Sequence, residues 1–220
     1  TLESITMGVL NILEVCRMVD FPIKFYNASS SECFGDTSGL AANEDTRFNP
    51  MSPYAIARST GHQFVQSYRT GYNLYAVNGI CFNHESSLRP ERFVTQKIIS
   101  TVNRISLGSK EKLFLGRLDI ARDWGWAPEY IVAMWKMLQQ EQPKDYIIAT
   151  GHTRTLEEFI DIAFSIKGLS WKDHVIQKEE FMRPNDLTVS KANPSKIKND
   201  LGWEATIHLE EIITRMSSKQ

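Results

Sequence analysis

The sequence predicts an α/β protein organised around a parallel β-sheet. Short apolar runs alternate with stretches of helical periodicity, the pattern of strand–helix–strand crossovers. Two of those runs, IKFYNAS (23–29) and NLYAVNGICF (73–82), are almost continuously apolar, as strands are when helices cover both faces of their sheet. The composition allows a real core: 220 residues, 42% hydrophobic and 23% charged, are ordinary for a globular chain.

In chain order, the first element is a helix over 3–19, where Ile5, Val9, Ile12, Leu13 and Cys16 fall at helical spacing. The strand at 23–29 follows, then a polar loop to about residue 50. Ser52 stands as N-cap and Pro53 in the first turn of a helix over 52–70. After the strand at 73–82, a helix is expected at 93–107 and a short strand, KLFLG, at 112–116. A helix at 127–140 precedes the strand DYIIATG (145–151), and 154–167 reads as another helix. The tail carries a helix from Pro194 to Leu201 and a last one from Leu209. Residues 1–85 are expected to bear the sheet, and 86–220 a smaller mixed lobe in which 120–151 returns to the sheet.

Charge and cysteine usage narrow the function classes. Twenty-five basic residues against 26 acidic ones give a net charge of −1, with no basic block to draw nucleic acid or an anionic membrane. No run approaches the ~20 apolar residues of a membrane span. The opening segment carries Glu3 and Glu14 and lacks the basic leader of a signal peptide. Cys16, Cys33 and Cys81 are odd in number and far apart, which points to a reducing, cytoplasmic compartment. The histidines at 62, 84, 152, 174 and 208 show no ligand spacing, so no metal is expected. The chain opens at Thr1 inside a helical pattern, and we expect it to be part of a longer one.

In open α/β sheets, ligands bind beyond the carboxyl ends of the strands. The first strand is followed by Ser29, Ser30, Ser31 and Glu32, the second by Asn83, His84 and Glu85. Alternation would put Ser30 and Glu32 on one side, a hydroxyl donor beside a carboxylate base, although a plain polar loop explains them as well. Tyr54 and Arg58, four apart, share a helix face. A cation beside a phenol favours the phenolate and suits it to move a proton. The plain alternative, a surface tyrosine stacked on an arginine, stays open. Arg89, Lys97, Arg122 and Arg183 are scattered cations that gain meaning only if the fold gathers them around phosphate.

Longer strings carry a resemblance. FYNASSSECFG (25–35), SPYAIAR (52–58), NGICFNHES (78–86), FVTQKI (93–98), LGRLDIARDWG (115–125), MLQQEQPKDYIIATG (137–151) and FMRPNDLTVSKANPSKIKNDLGW (181–203) resemble the extended short-chain dehydrogenase/reductases. Within them the chain looks most like the GDP-mannose 4,6-dehydratases, in order and spacing over essentially its whole length. The resemblance implies a Rossmann-like sheet whose amino-terminal strands precede this chain, and a smaller substrate-binding lobe.

It also implies a chemistry: C4 of GDP-mannose is oxidised by NADP, C5 is deprotonated as water leaves C6, and C6 is reduced. The catalytic positions fall on Ser30 (usually threonine), Glu32, Tyr54 and Arg58. Asn83, Lys97, Arg122 and Arg183 fall where the family holds the GDP portion, and Asp186 where it usually has a glutamate near the ribose. His84 and Arg89, with Tyr54 and Arg58, match the cofactor side. A homodimer or homotetramer is implied. The chain departs from the pattern at Arg58, usually lysine, at Leu88 and Pro90, usually arginine and glycine, and at Trp126, usually histidine. It contains no glycine-rich turn leading from a strand into a helix. The alternatives are a GDP-sugar reductase or epimerase of the same superfamily, against which Glu32 argues, and a non-catalytic nucleotide-sugar-binding chain, which Arg58 favours.

Overall fold

The computed structural model describes residues 1–182 and 186–218. A π-helical turn, Glu3–Met7, runs into α1 (Gly8–Met18), and β1 (Lys24–Ser30) follows, closing in a 3-10 turn at Ser31–Phe34. Helix α2 (Pro53–Tyr72) crosses to β2 (Tyr75–Cys81), and after one residue the chain extends again as β3 (Asn83–Glu85). Next come α3 (Val94–Ser106), β4 (Leu113–Leu115), β5 (Ala121–Trp126), α4 (Ala127–Leu138) and β6 (Tyr146–Ile148). The remaining elements are β7 (Thr153–Thr155), α5 (Leu156–Ser165), β8 (Val175–Gln177), α6 (Ser195–Leu201) and α7 (Leu209–Ser217).

The strands β1, β2 and β6 pair in parallel in the order β1-β2-β6. The register Ser30↔Cys81 brings the ends of β1 and β2 level. Alternation along β2 explains its nearly continuous apolar run: Ala76 packs with Leu13 of α1 and Val65 of α2, while Val77 packs with Tyr130, Ala133 and Met137 of α4. On α1, Leu13 and Cys16 are buried, but Ile12 of the same pattern is exposed.

A second sheet, β3-β5-β7, pairs β3 with β5 in parallel and β5 with β7 antiparallel, and β4 pairs with β8. Around them α3, α5 and α7 enclose a separate core that includes Ile98, Val102, Phe159, Phe164 and Ile212.

The expected helices and the strands of the first sheet are present within a few residues, and 145–151 narrows to Tyr146–Ile148. The returning segment 120–151 divides: β6 joins the first sheet, whereas β5 belongs to the second. The sequence pattern does not predict β3, β5 and β7, which polar residues interrupt, or β8, a three-residue strand set by its pairing with β4. In β5 the Asp123 carboxylate is fully buried, accepting hydrogen bonds from the Thr150 and Gly151 amides and the Thr150 hydroxyl.

Candidate active site

Strand β1 delivers the first expected residues to the carboxyl edge of the sheet. Its alternation stops at Ser30, whose hydroxyl accepts the Glu32 amide (3.3 Å) and caps the 3-10 turn. This turn corrects the alternation expected from the sequence: Ser30 is buried and Glu32 exposed. The two remain close in space through the cap.

Helix α2 starts as the sequence predicts. Ser52 accepts the Ala55 amide (3.1 Å), and Pro53 occupies the first turn. Tyr54 therefore sits in a fixed first turn. One helical turn on, Arg58 donates from Nε to the Tyr54 hydroxyl (3.1 Å) and from a terminal nitrogen to the Ala28 carbonyl of β1 (2.7 Å). The guanidinium thus sits on the phenol oxygen and ties α2 to the strand that carries Ser30 and Glu32. A lysine, with a single nitrogen, could not divide itself along the same fork.

Beyond β2, Asn83 and His84 lie on β3. The His84 ring donates from Nδ1 to the Phe82 carbonyl (2.8 Å) and lies 5.0 Å from the Tyr130 ring. Burial holds its pKa below the usual histidine range, and nearby Arg89 adds to this. Arg89 itself approaches the carboxylate of Glu85. Lys97 on α3 donates to the Phe114 carbonyl (2.7 Å) and stands over the Phe181 ring.

In the lobe, Arg122 and Asp186 form an ion pair at 2.8 Å. Arg183, the remaining expected phosphate ligand, lies outside the described residues. The expected residues thus gather locally, as Ser30 with Glu32, Tyr54 with Arg58 and Arg122 with Asp186. They line neither the cavity of about 210 Å³ beside Trp124, His152, Arg154 and His208 nor the one of about 510 Å³ beside Phe34, Asp36 and Arg47.

The sequence profile of the GDP-mannose 4,6 dehydratase family matches residues 1–216. The chain belongs to this family. The GDP-mannose 4,6 dehydratase 1 of Arabidopsis thaliana is 44% identical over 220 residues, covering 98% of this chain and 61% of that protein. The Homo sapiens GDP-mannose 4,6 dehydratase is 36% identical, covering 96% of this chain and 61% of that protein. The chain thus spans about three fifths of the length of the curated relatives it matches.

Among solved structures, RMD from Pseudomonas aeruginosa complexed with NADPH superposes at a TM-score of 0.90 and 19% identity, over 99% of this chain and 73% of that one. The dTDP-glucose 4,6-dehydratase of Bacillus anthracis in complex with NAD superposes at 0.86 and 20% identity, over 98% and 67%. Both place the chain in the Rossmann-like fold.

Within this family member, the sequence reading missed a buried network behind the candidate site. His62, on the inner face of α2, shares a hydrogen bond with Ser29 (3.0 Å), the residue before Ser30. Its Nε2 stands 3.8 Å from the Asp145 carboxylate. Asp145 also receives a two-pronged bond from Arg69 (2.7 and 2.8 Å) and the Asn78 amide (2.7 Å). Burial pushes Asp145 up, but these bonds outweigh it and hold the carboxyl below its usual range. No spacing in the sequence reveals the network, since its members are scattered over β1, α2, β2 and the residue before β6.

Proposed function

We propose that the whole protein to which this chain belongs is an NADP-dependent dehydratase, converting GDP-mannose to GDP-4-keto-6-deoxymannose. The observation that carries this is the Arg58–Tyr54 hydrogen bond at the carboxyl edge of a parallel sheet, with Ser30 and Glu32 at the neighbouring strand end. The named relatives supply the substrate, and the fold shared with proteins holding NADPH or NAD supplies the cofactor class.

The residues present fit the nicotinamide end of such a cofactor. Two of the three Arg58 nitrogens are engaged, leaving one for a ribose hydroxyl, and His84 and Arg89 stand on the adjoining strand and loop. No glycine-rich turn of this chain could cradle the diphosphate. When bound, the nicotinamide supplies the hydride exchange, first from C4 and then back to C6. Tyr54 takes the C4 hydroxyl proton, with Arg58 holding the phenol oxygen by its hydrogen bond and Ser30 donating to the C4 oxygen. Glu32, exposed and ready to meet a ligand, takes the C5 proton and passes it to the C6 hydroxyl, which leaves as water, and C5 regains a proton from Tyr54 as C6 is reduced. Asn83, Lys97, Arg122 and Asp186 hold the GDP portion, exchanging the Phe114 carbonyl and the Arg122–Asp186 pair for phosphate and ribose oxygens.

In this reading residues 1–85 serve the dinucleotide and 86–220 mainly the sugar nucleotide. The whole protein is a cytoplasmic homodimer or homotetramer. The exposed Val15 and Met18 of α1 and Ile56 of α2 supply apolar surface for association, and the three cysteines are free thiols. Among the described residues no helix is long and apolar enough to cross a membrane.

Glu32 separates dehydration from the simple ketone reduction of the alternative reading, which needs no base at C5. The test is Glu32→Gln in the full-length protein, supplied with GDP-mannose and NADP. Turnover should fall by about 10²–10⁴-fold while GDP binding stays unchanged. Unchanged turnover removes the role given to Glu32, and a wild-type protein inert toward GDP-mannose removes the reading.

A further inference from the structure

Glu85 takes no part in the steps above, yet only 1% of its surface is exposed. A carboxylate at that depth is costly unless it is paired. Two groups meet the same oxygen: the Thr95 hydroxyl donates to it at 2.9 Å, and Nε of Arg89 stands 3.3 Å away. That nitrogen is buried and makes no aligned hydrogen bond, so the charge on the glutamate is what holds it. The guanidinium also lies over the Phe93 ring at 3.9 Å, and the Arg89 side chain keeps 28% of its surface exposed. Around it the loop is turned by the bonds Arg89 amide to Ser86 carbonyl and Phe93 amide to Pro90 carbonyl (both 3.1 Å). His84 precedes Glu85 on β3, and Lys97 lies two residues beyond Thr95 on α3. Three segments that carry expected site residues therefore converge on one carboxylate.

We propose that Glu85 is a positioning residue: its carboxylate fixes the Arg89 guanidinium and the start of α3, and so presents Arg89 to an anionic group of the bound dinucleotide. This rests on the reading of Arg89 as a cofactor-side cation. The cost of the arrangement falls on the glutamate, whose carboxyl is pushed up to about 7 by burial against the opposing pull of Arg89 and Thr95. Arg89 keeps part of its surface in solvent, so it needs the pair less than the glutamate does. Glu85→Gln keeps the volume and an acceptor for Thr95, removes the buried charge and releases only Arg89. A residue that merely held the fold would lose stability along with affinity; a positioning residue loses affinity without losing stability.

The experiment titrates NADPH into the full-length protein at pH 8, followed by nicotinamide fluorescence, for wild type, Glu85→Gln, Arg89→Ala and the double variant. Glu85→Gln should weaken NADPH about tenfold, the scale of one charge-assisted contact, with the melting temperature unchanged or raised. The double variant should bind no worse than Arg89→Ala, because Glu85 acts through Arg89. Amides of 86–93 should lose hydrogen-exchange protection in Glu85→Gln without any cofactor present. The proposal is overturned by wild-type affinity in Glu85→Gln, by losses that add in the double variant, or by a melting temperature that falls with the affinity. If wild type binds no NADPH, or Arg89→Ala binds it unchanged, the cofactor-side reading of Arg89 fails and the proposal with it. An effect of Arg89→Ala with none of Glu85→Gln sinks the positioning role alone.

Discussion

At the scale of single residues, the candidate site is held from behind by groups whose protonation matters to folding. His62 is buried, and its pKa is pushed down to about 4, chiefly by burial, with Arg69 adding and Asp145 opposing. The folded chain therefore keeps the ring neutral, whereas the unfolded chain takes up a proton below about pH 6.5. The unfolded state binds more protons in that window, so the His62 contribution is intact above pH 6.5 and is lost as the pH falls toward 4. The size is on the order of 3 kcal/mol. His62→Asn, which can still meet Ser29, should flatten the pH dependence between 6.5 and 4, as urea denaturation at several pH values would show. Parallel curves for the two proteins would mean that His62 does not carry the effect. Some of the residue-level chemistry was legible in the sequence, since Tyr54 and Arg58 are four apart on a helix and must meet. The Ser29–His62–Asp145 network was not, because it joins positions 33 and 83 residues apart and only the folded sheet brings them together.

Among the elements, α2 does the most to set the site, and its start is the weak point. Ser52 provides the cap, and Tyr54 lies just inside it. Ser52→Ala leaves the Ala55 amide without its partner and should cost about 1 kcal/mol. The denaturation midpoint would move at constant slope. Because the loosened turn carries the phenol, turnover in the full-length protein should drop severalfold while sugar-nucleotide binding holds. Ser52→Asp, an equally good cap, should restore both; a loss that persists in Ser52→Asp would point to a role for the serine other than capping. The same cap signal made α2 legible from sequence. The short strands β3, β5, β7 and β8 were not, for they are defined by pairing. In β5, Gly125 adds to the concealment: a Cβ there would come within 2.3 Å of the Tyr130 ring, so the strand must carry a glycine that reads as a breaker.

For the molecule as a whole, the question is whether the first sheet and the lobe fold as one unit. Helix α4 packs against β1 and β2 of the first sheet and against β3 and β5 of the second. Tyr130 stands at that junction, fully buried, with its ring 5.0 Å from His84 and 6.0 Å from Trp203. Its hydroxyl finds no hydrogen-bond partner among the described residues. Removing that hydroxyl removes only an unsatisfied group, so Tyr130→Phe should leave stability unchanged or raise it by up to about 1 kcal/mol. Removing the ring is different, and Tyr130→Ala should cost about 3–5 kcal/mol. With α4 shared, the loss should appear equally in both parts. Hydrogen exchange under native conditions would show β2 and β6 losing protection in step with α3, α5 and α7. If the α3, α5 and α7 core kept its protection while β2 and β6 opened, the lobe would be a folding unit of its own. The division proposed near residue 85 would then have a thermodynamic basis.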